Sequence, residues 1–162
     1  MKKNERTIYL AYGSNLNKEQ MAWRCPNAKI LGTATLEGYE LIFRGGRESA
    51  VANIEPKEGS SVPVLLWSIT PRCEVALDRY EGFPYLYRKE KVTVELNGDP
   101  TEAMVYIMNE GKPMGKPSLP YYSIIREGYK DCGFSIGILN KAVEHPHKNP
   151  LPHIDKNTYT GI

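Results

Sequence analysis

A tight polar loop near the N-terminus is the first candidate for chemistry. Residues 13–15, Gly-Ser-Asn, come shortly after an apolar run over 8–11 that predicts a buried strand. Residues 17–24 favour a helix, with Asn15 or Asn17 as its N-cap. Such a loop presents unpaired backbone N–H groups beside the positive end of a helix dipole. It therefore suits a carboxylate, a phosphate or a developing oxyanion, although an ordinary connecting loop has the same composition.

The second candidate is Glu81, an acidic residue at the end of a predicted helix. The spacing predicts this helix over 71–80, with Thr70 as its N-cap and Gly82 as its C-terminal glycine. A carboxylate at the carbonyl end of a helix is disfavoured, and burial would raise its pKa toward the range useful for proton transfer. The alternative is an exposed side chain beside a capping glycine. Nearby aromatic residues that could wall a pocket are Tyr80, Phe83, Tyr85 and Tyr87.

The histidines do not form a metal-binding or catalytic motif. His145, His147 and His153 lie in the Pro-containing segment 145–162, for which we expect an extended, solvated tail. Ser14 has no histidine at the spacing of a nucleophile motif. We therefore expect no metal and no cofactor.

The three cysteines, Cys25, Cys73 and Cys132, are widely spaced and match no zinc or redox motif. They cannot all pair within the chain. We expect reduced, half-buried thiols without a chemical role.

The remaining elements predict an α+β fold with six or seven strands and two to four helices. We expect a strand pair within 29–44, separate strands at 49–54 and 62–69, and a hairpin of 88–96 with 101–108. Further helices are predicted from residue 118 or 119 and after Gly133. One domain is expected over residues 1–144, with the tail 145–162 packed on or near it.

Composition favours an ordinary globular enzyme, with 41% hydrophobic and 25% charged residues. The net charge of +2 gives no reason to expect nucleic acid or an anionic membrane as a partner. No apolar run approaches the length of a membrane span, and no signal-type core follows the first residues. We expect a cytoplasmic protein.

Four motifs together resemble those of the γ-glutamylcyclotransferase family, also called AIG2-like. The first is Tyr-Gly-Ser-Asn-Leu at 12–16, directly after a strand. The second is Leu-Asp-Arg-Tyr-Glu-Gly at 77–82, followed by Tyr87. The others are Pro-Ser at 117–118 with Tyr121 three residues on, and Tyr-Thr-Gly at 159–161.

The resemblance implies a small, partly closed mixed β-barrel with surrounding helices. It also implies that Glu81 is the catalytic acid and base. The substrate-binding residues that it implies are Tyr9, Leu10, Ala11, Tyr12, Gly13, Ser14, Asn15, Tyr87 and Tyr121. Tyr85 remains an alternative to Tyr87, and Tyr122 to Tyr121.

The implied reaction is attack of the α-amine of a γ-glutamyl compound on its own γ-amide, giving 5-oxoproline and an amine or amino acid. This reaction, which would belong to glutathione metabolism, requires no metal or cofactor. The implied partner is the small-molecule substrate, and a homodimer is a possible assembly. Two alternatives stay open: a non-catalytic binding module on the same fold, and a related enzyme that removes a γ-glutamyl group from a biosynthetic intermediate.

Overall fold

The computed structural model describes residues 5–148, and the side chains of residues 5–144. Within this part, five strands and four α-helices follow one another in an irregular α+β order. The strands are β1 (Thr7–Ala11), β2 (Lys29–Gly45), β3 (Ala50–Ile69), β4 (Tyr87–Leu96) and β5 (Asp99–Met108). The helices are α1 (Lys18–Arg24), α2 (Pro71–Glu81), α3 (Leu119–Cys132) and α4 (Ile136–Lys148), and a 3₁₀ turn occupies Ser14–Leu16.

The sheet has the order β2-β3-β1-β5-β4, so the short N-terminal strand is its central member. β1 runs antiparallel to β3, where Tyr9 is opposite Trp67, and parallel to β5, where Tyr9 is opposite Met104. Burial of β1 between two longer strands explains its apolar sequence. The polar loop 13–15 therefore begins at the end of the central strand.

The long hairpin of β2 and β3 differs from the prediction. The expected strand pair within 29–44 is one continuous strand, and the expected strands 49–54 and 62–69 are also one. The register shifts beside Gly32 and Gly38, whose φ angles are 151° and 83°. These glycines accommodate bulges within a strand, where the sequence alone suggested turns between strands.

The two edges of the sheet approach each other. A Cβ atom on Gly32 of β2 would lie 3.0 Å from Leu96 Cδ1 of β4. No ladder joins these two strands within residues 5–148. The sheet is thus a partly closed barrel, and α3 and α4 supply Ile125, Tyr129 and Leu139 to its buried core. The predicted α+β class is confirmed.

The predicted boundaries hold where local signals are strong. The Thr70 hydroxyl accepts a hydrogen bond from Cys73 N, and Gly82 ends α2 with a φ of 69°. Asn17 is the N-cap of α1, which decides between the two predicted candidates. The β4–β5 turn has positive φ at Asn97 and Gly98, as a two-residue hairpin requires.

The fourth helix extends further than predicted. An extended tail was expected from residue 145, whereas α4 continues through Lys148. Its apolar residues Leu139 and Ala142 pack into the core. His153 and the motif at 159–161 lie outside the described residues, so the packing of the tail and the domain limits stay predictions.

The cysteines also differ from the prediction. Cys25 and Cys73 form a disulfide, whereas Cys132 is free. The expectation of reduced thiols is wrong for the paired residues, because the fold brings the end of α1 beside the start of α2. Their Cα atoms lie 5.0 Å apart although they are 48 positions apart in sequence.

Candidate active site

One cavity of about 280 Å³ collects the predicted loop, Glu81 and a group of tyrosines. Its walls come from the ends of β1 and α2 and from β3, β4, β5 and α3. Among the described residues that line it, Glu81 carries the single charged side chain. The full set is Tyr9, Leu10, Tyr12, Gly13, Ser14, Asn15, Val51, Ala52, Tyr80, Glu81, Leu86, Tyr87, Tyr106 and Tyr121.

The loop passes close to β3 and α3 at Gly13. A Cβ atom there would lie 3.1 Å from Ala52 Cβ and 3.7 Å from the Tyr121 hydroxyl. Ser14 and Asn15 open the 3₁₀ turn, so their N–H groups have no acceptor within it. The loop thus brings backbone donors to the cavity edge.

Helix α3 holds the loop from outside. Gly128 packs so closely on it that a Cβ atom would lie 2.7 Å from Leu16 Cβ. The Asn17 amide donates to the Ile124 carbonyl at 3.0 Å and to Glu127 Oε1 at 2.9 Å. Because α3 also carries Tyr121, these contacts fix the loop and this tyrosine relative to each other.

The Asn15 side chain supports the loop from inside. Its Nδ2 donates to the Tyr9 hydroxyl at 2.9 Å, and its Oδ1 accepts from Arg24 Nη1 at 2.7 Å. The backbone carbonyl of Asn15 accepts from Trp67 Nε1 at 3.1 Å. The Asn15 side chain therefore has protein partners for both its donor and its acceptor.

Glu81 is the last residue of α2, directly before Gly82. Burial raises the pKa of its carboxyl from 4.5 to about 7, although the positive charge of Arg24 acts in the opposite direction. Among the described residues, no hydrogen bond or ion pair stabilises the charged form of Glu81. A carboxyl in this state can take up and release a proton at neutral pH.

Tyrosine hydroxyls surround Glu81 in fixed positions. The Tyr12 hydroxyl donates to the Tyr106 carbonyl at 2.7 Å, and the Tyr87 hydroxyl donates to the Ala52 carbonyl at 2.5 Å. The Tyr121 hydroxyl accepts from Ala52 N at 3.0 Å. Burial is the main cause that raises the pKa of these hydroxyls, so they are neutral hydrogen-bonding groups at pH 7.

The structure places one tyrosine of each pair that the sequence left open at the cavity. Tyr87 lines the cavity, whereas Tyr85 is 89% exposed outside it. Tyr121 lines the cavity, whereas the Tyr122 hydroxyl donates to Asn140. Ala11 is buried in the core and does not line the cavity.

Two polar residues at the site were not predicted. Tyr106 lines the cavity from β5 and donates to Asp78 Oδ1 at 2.6 Å. Arg24 lies behind the loop, with its guanidinium 3.6 Å from the centroid of the Tyr80 ring. The alternating pattern of β5 could have suggested Tyr106, whereas no local signal marks Arg24.

The described part of the chain does not bring together three or more His, Cys, Asp or Glu side chains that could hold a metal ion. Within residues 5–148, no helix has the length and apolar character of a membrane span.

The sequence model described as "Gamma-glutamyl cyclotransferase, AIG2-like" matches residues 9–126. The chain belongs to this family. The match includes the loop 13–15, Glu81 and Tyr121, and it confirms the resemblance seen in the motifs. It also indicates an enzyme of the γ-glutamylcyclotransferase type.

Curated members of the γ-glutamylcyclotransferase family match nearly the whole chain. A human "Gamma-glutamylcyclotransferase" is 28% identical over 97% of this chain and 83% of its own length. The protein of the same name from Bos taurus is also 28% identical, with the same coverage.

Solved structures give the same result for the γ-glutamylcyclotransferase-like fold. One titled "Gamma-glutamyl cyclotransferase" has a TM-score of 0.77 and 26% identity, and the match covers 85% of this chain and 86% of that one. The structure of YkqA from Bacillus subtilis has a TM-score of 0.74 and 21% identity, and the match covers 90% of this chain and 56% of that one. This similarity concerns the fold alone.

Proposed function

We propose that this protein converts a γ-glutamyl amino acid or γ-glutamylamine to 5-oxoproline and the free amino acid or amine. The observation that carries the proposal is the position of Glu81. A carboxyl with a pKa of about 7 shares one cavity with the backbone donors of loop 13–15. Ring closure needs both a proton carrier and donors for an anion at a single reacting centre.

The nucleophile and the electrophile belong to the same substrate. The α-amine of the γ-glutamyl group attacks the γ-amide carbonyl and closes a five-membered ring. Because the amine is tethered, effective molarities for such a closure reach on the order of 10⁵ M or more. The protein therefore has to orient the substrate, move two protons and stabilise the tetrahedral oxyanion.

Glu81 supports both proton transfers. Its carboxylate takes a proton from the α-ammonium group, and the resulting acid gives a proton to the departing amine. A pKa of about 7 allows both protonation states near neutral pH. A carboxylate at its ordinary pKa of 4.5 would be a weaker base.

The loop and Tyr121 supply the fixed donors. In the proposal, N–H groups of residues 13–15 hold the α-carboxylate of the substrate or the oxyanion. The Tyr121 hydroxyl accepts from Ala52 N and keeps its own proton to donate to the substrate, whereas the Tyr87 hydroxyl donates to the Ala52 carbonyl and contacts the substrate as an acceptor. Because these hydroxyls are already held by Ala52, they need little reorganisation when charge develops.

The proposal needs no metal or cofactor and places the enzyme in the cytoplasm, with a part in glutathione metabolism. Its partner is the small-molecule substrate. A homodimer is the assembly to test by light scattering.

The test is a turnover assay with γ-glutamyl-alanine, γ-glutamyl-lysine and ε-(γ-glutamyl)lysine, in which 5-oxoproline is measured. We expect stoichiometric release of 5-oxoproline and amine from at least one substrate. Release of free glutamate would instead indicate hydrolysis. Tight binding of a γ-glutamyl compound without any product would establish the binding-module alternative.

A further inference from the structure

The guanidinium of Arg24 connects the two halves of the candidate site. Its Nη1 donates to Asn15 Oδ1 at 2.7 Å, and its Nη2 donates to Gln20 Oε1 at 2.7 Å. Its plane lies over the Tyr80 ring, with Cζ 3.6 Å from the ring centroid. One side chain of α1 thus contacts both the loop and the last turn of α2.

We propose that Arg24 is a positioning residue of the reaction, which holds Asn15 and Tyr80 in place and sets a positive charge opposite the Glu81 carboxyl. The inference rests on the proposed role of Glu81 as the proton carrier. Arg24 does not line the cavity, so its action on the substrate passes through these three residues.

The geometry gives Arg24 a fixed orientation. Gln20 lies one helical turn earlier on α1 and holds one end of the guanidinium fork, while Asn15 accepts from the other end. The Tyr80 ring closes one face of the guanidinium, and the Tyr80 hydroxyl lies 3.0 Å from Ser14 Oγ. A lysine at position 24 would keep the charge but lose this fork.

Arg24 is also the charged group that acts on Glu81. Within the described part of the chain, the titratable groups that interact with Glu81 from other elements are the hydroxyls of Tyr9, Tyr12, Tyr87 and Tyr121. Burial is the main cause of the raised pKa of each hydroxyl, so all four are uncharged near neutral pH.

The positive charge opposes the effect of burial on the carboxyl. Burial raises the pKa of Glu81, and Arg24 lowers it. Without Arg24, a larger share of Glu81 would be protonated at pH 7 and unable to take the proton of the α-ammonium group.

The experiment compares Arg24→Gln and Arg24→Lys with the native protein across pH 5–9. For Arg24→Gln we expect the acid limb of kcat/KM to move up by about one pH unit. Below the limb kcat/KM should fall by about a further tenfold, and above the limb only the severalfold loss caused by the missing fork should remain. For Arg24→Lys we expect an unmoved limb and a severalfold lower kcat/KM at every pH, because the fork is lost. Arg79→Gln, at an exposed position in the last turn of α2, is the matched control.

A direct titration separates this inference from the proposed function. The ¹³C signal of the Glu81 carboxyl gives its pKa whether or not the protein turns over substrate. A higher Glu81 pKa in Arg24→Gln without any native 5-oxoproline release would refute the proposed function but support the electrostatic part. If the Glu81 pKa in Arg24→Gln equals the native value, the Arg24 charge has no role. An equal rise of the Glu81 pKa in Arg24→Gln and Arg24→Lys would also refute that role. If Arg24→Gln does not fold, Arg24→Lys is the deciding variant. An unmoved acid limb of its kcat/KM supports the inference, and an acid limb that moves to higher pH overturns it.

Discussion

The Ser14 hydroxyl and the Tyr80 hydroxyl lie 3.0 Å apart, although 66 positions separate them in the sequence. Ser14 belongs to the loop after the central strand, and Tyr80 belongs to the last turn of α2. Because Glu81 follows Tyr80 directly, this contact fixes the distance between the backbone donors and the proposed proton carrier. The function proposed here depends on that spacing.

Replacing Glu81 by Gln tests the proton carrier. The amide keeps the size of the side chain but cannot exchange a proton, so 5-oxoproline release should fall by roughly 10²–10⁴-fold. The affinity for 5-oxoproline, measured by calorimetry, should change little. Glu58→Gln, an exposed position in β3, is the control and should keep native activity. Near-native turnover of Glu81→Gln would show that another group carries the proton.

The same substitution tests the raised pKa through stability. Between pH 4.5 and about 7, native Glu81 holds a proton that the unfolded chain has released. Because the folded state binds this proton more tightly, Glu81 makes the native protein less stable as the pH rises through this range: the free energy of unfolding falls. The free energies of unfolding of Glu81→Gln and of the native protein are measured in urea at pH 5 and pH 8. The difference, variant minus native, should be more positive at pH 8. An equal difference at both pH values would mean that the Glu81 pKa is ordinary.

The paired tyrosines of α3 provide a matched test of the cavity wall. Tyr121→Phe removes the hydroxyl that faces Gly13 and accepts from Ala52 N. We expect kcat/KM to fall by roughly tenfold or more, since one hydrogen bond is worth about 1–1.5 kcal/mol. Tyr122→Phe removes a hydroxyl bound to Asn140 outside the cavity, and its kinetics should stay native. The opposite order of effects would exchange the two assignments.

Two glycines on neighbouring helices test how α3 holds the loop. Gly128→Ala would place a methyl group 2.7 Å from Leu16 Cβ and 2.9 Å from the Leu16 carbonyl carbon. We expect a loss of about 1–3 kcal/mol in the free energy of unfolding, from overpacking. Gly137 lies on an exposed part of α4, and a Cβ atom there would contact Ser135 Oγ at 3.5 Å. Gly137→Ala should therefore leave the free energy of unfolding unchanged or raise it slightly. Equal effects would mean that α3 can move away from the loop at no cost.

Thiol counting tests the disulfide. In the denatured, unreduced protein, a maleimide should label one cysteine, Cys132, and after reduction it should label three. Reduction should lower the free energy of unfolding by roughly 2–4 kcal/mol, because the bridge between Cys25 and Cys73 closes a long loop. Three labels without a reductant would restore the expectation of free thiols.

Local signals in the sequence determined the elements that position the site. Thr70 and Gly82 gave the limits of α2, since capping depends on residues within one turn of the helix end. The turn at Asn97 and Gly98 likewise gave the β4–β5 hairpin. The motif at 12–16 indicated the family, and the position of Glu81 at a helix end suggested its raised pKa.

Other features depended on contacts between distant segments. Gly32 and Gly38 resemble turn residues locally, but pairing with β3 keeps the strand continuous through them. The Cys25–Cys73 bridge exists because two helices meet, which no local spacing encodes.

The charge that acts on Glu81 was also decided by the tertiary structure. The sequence could place a carboxyl at a helix end and suggest its burial, but it could not place Arg24 of another helix over Tyr80. Backbone geometry and capping act over a few residues, so sequence reveals them. Desolvation and Coulomb interactions depend on distance in space, and only the packed chain defines that distance.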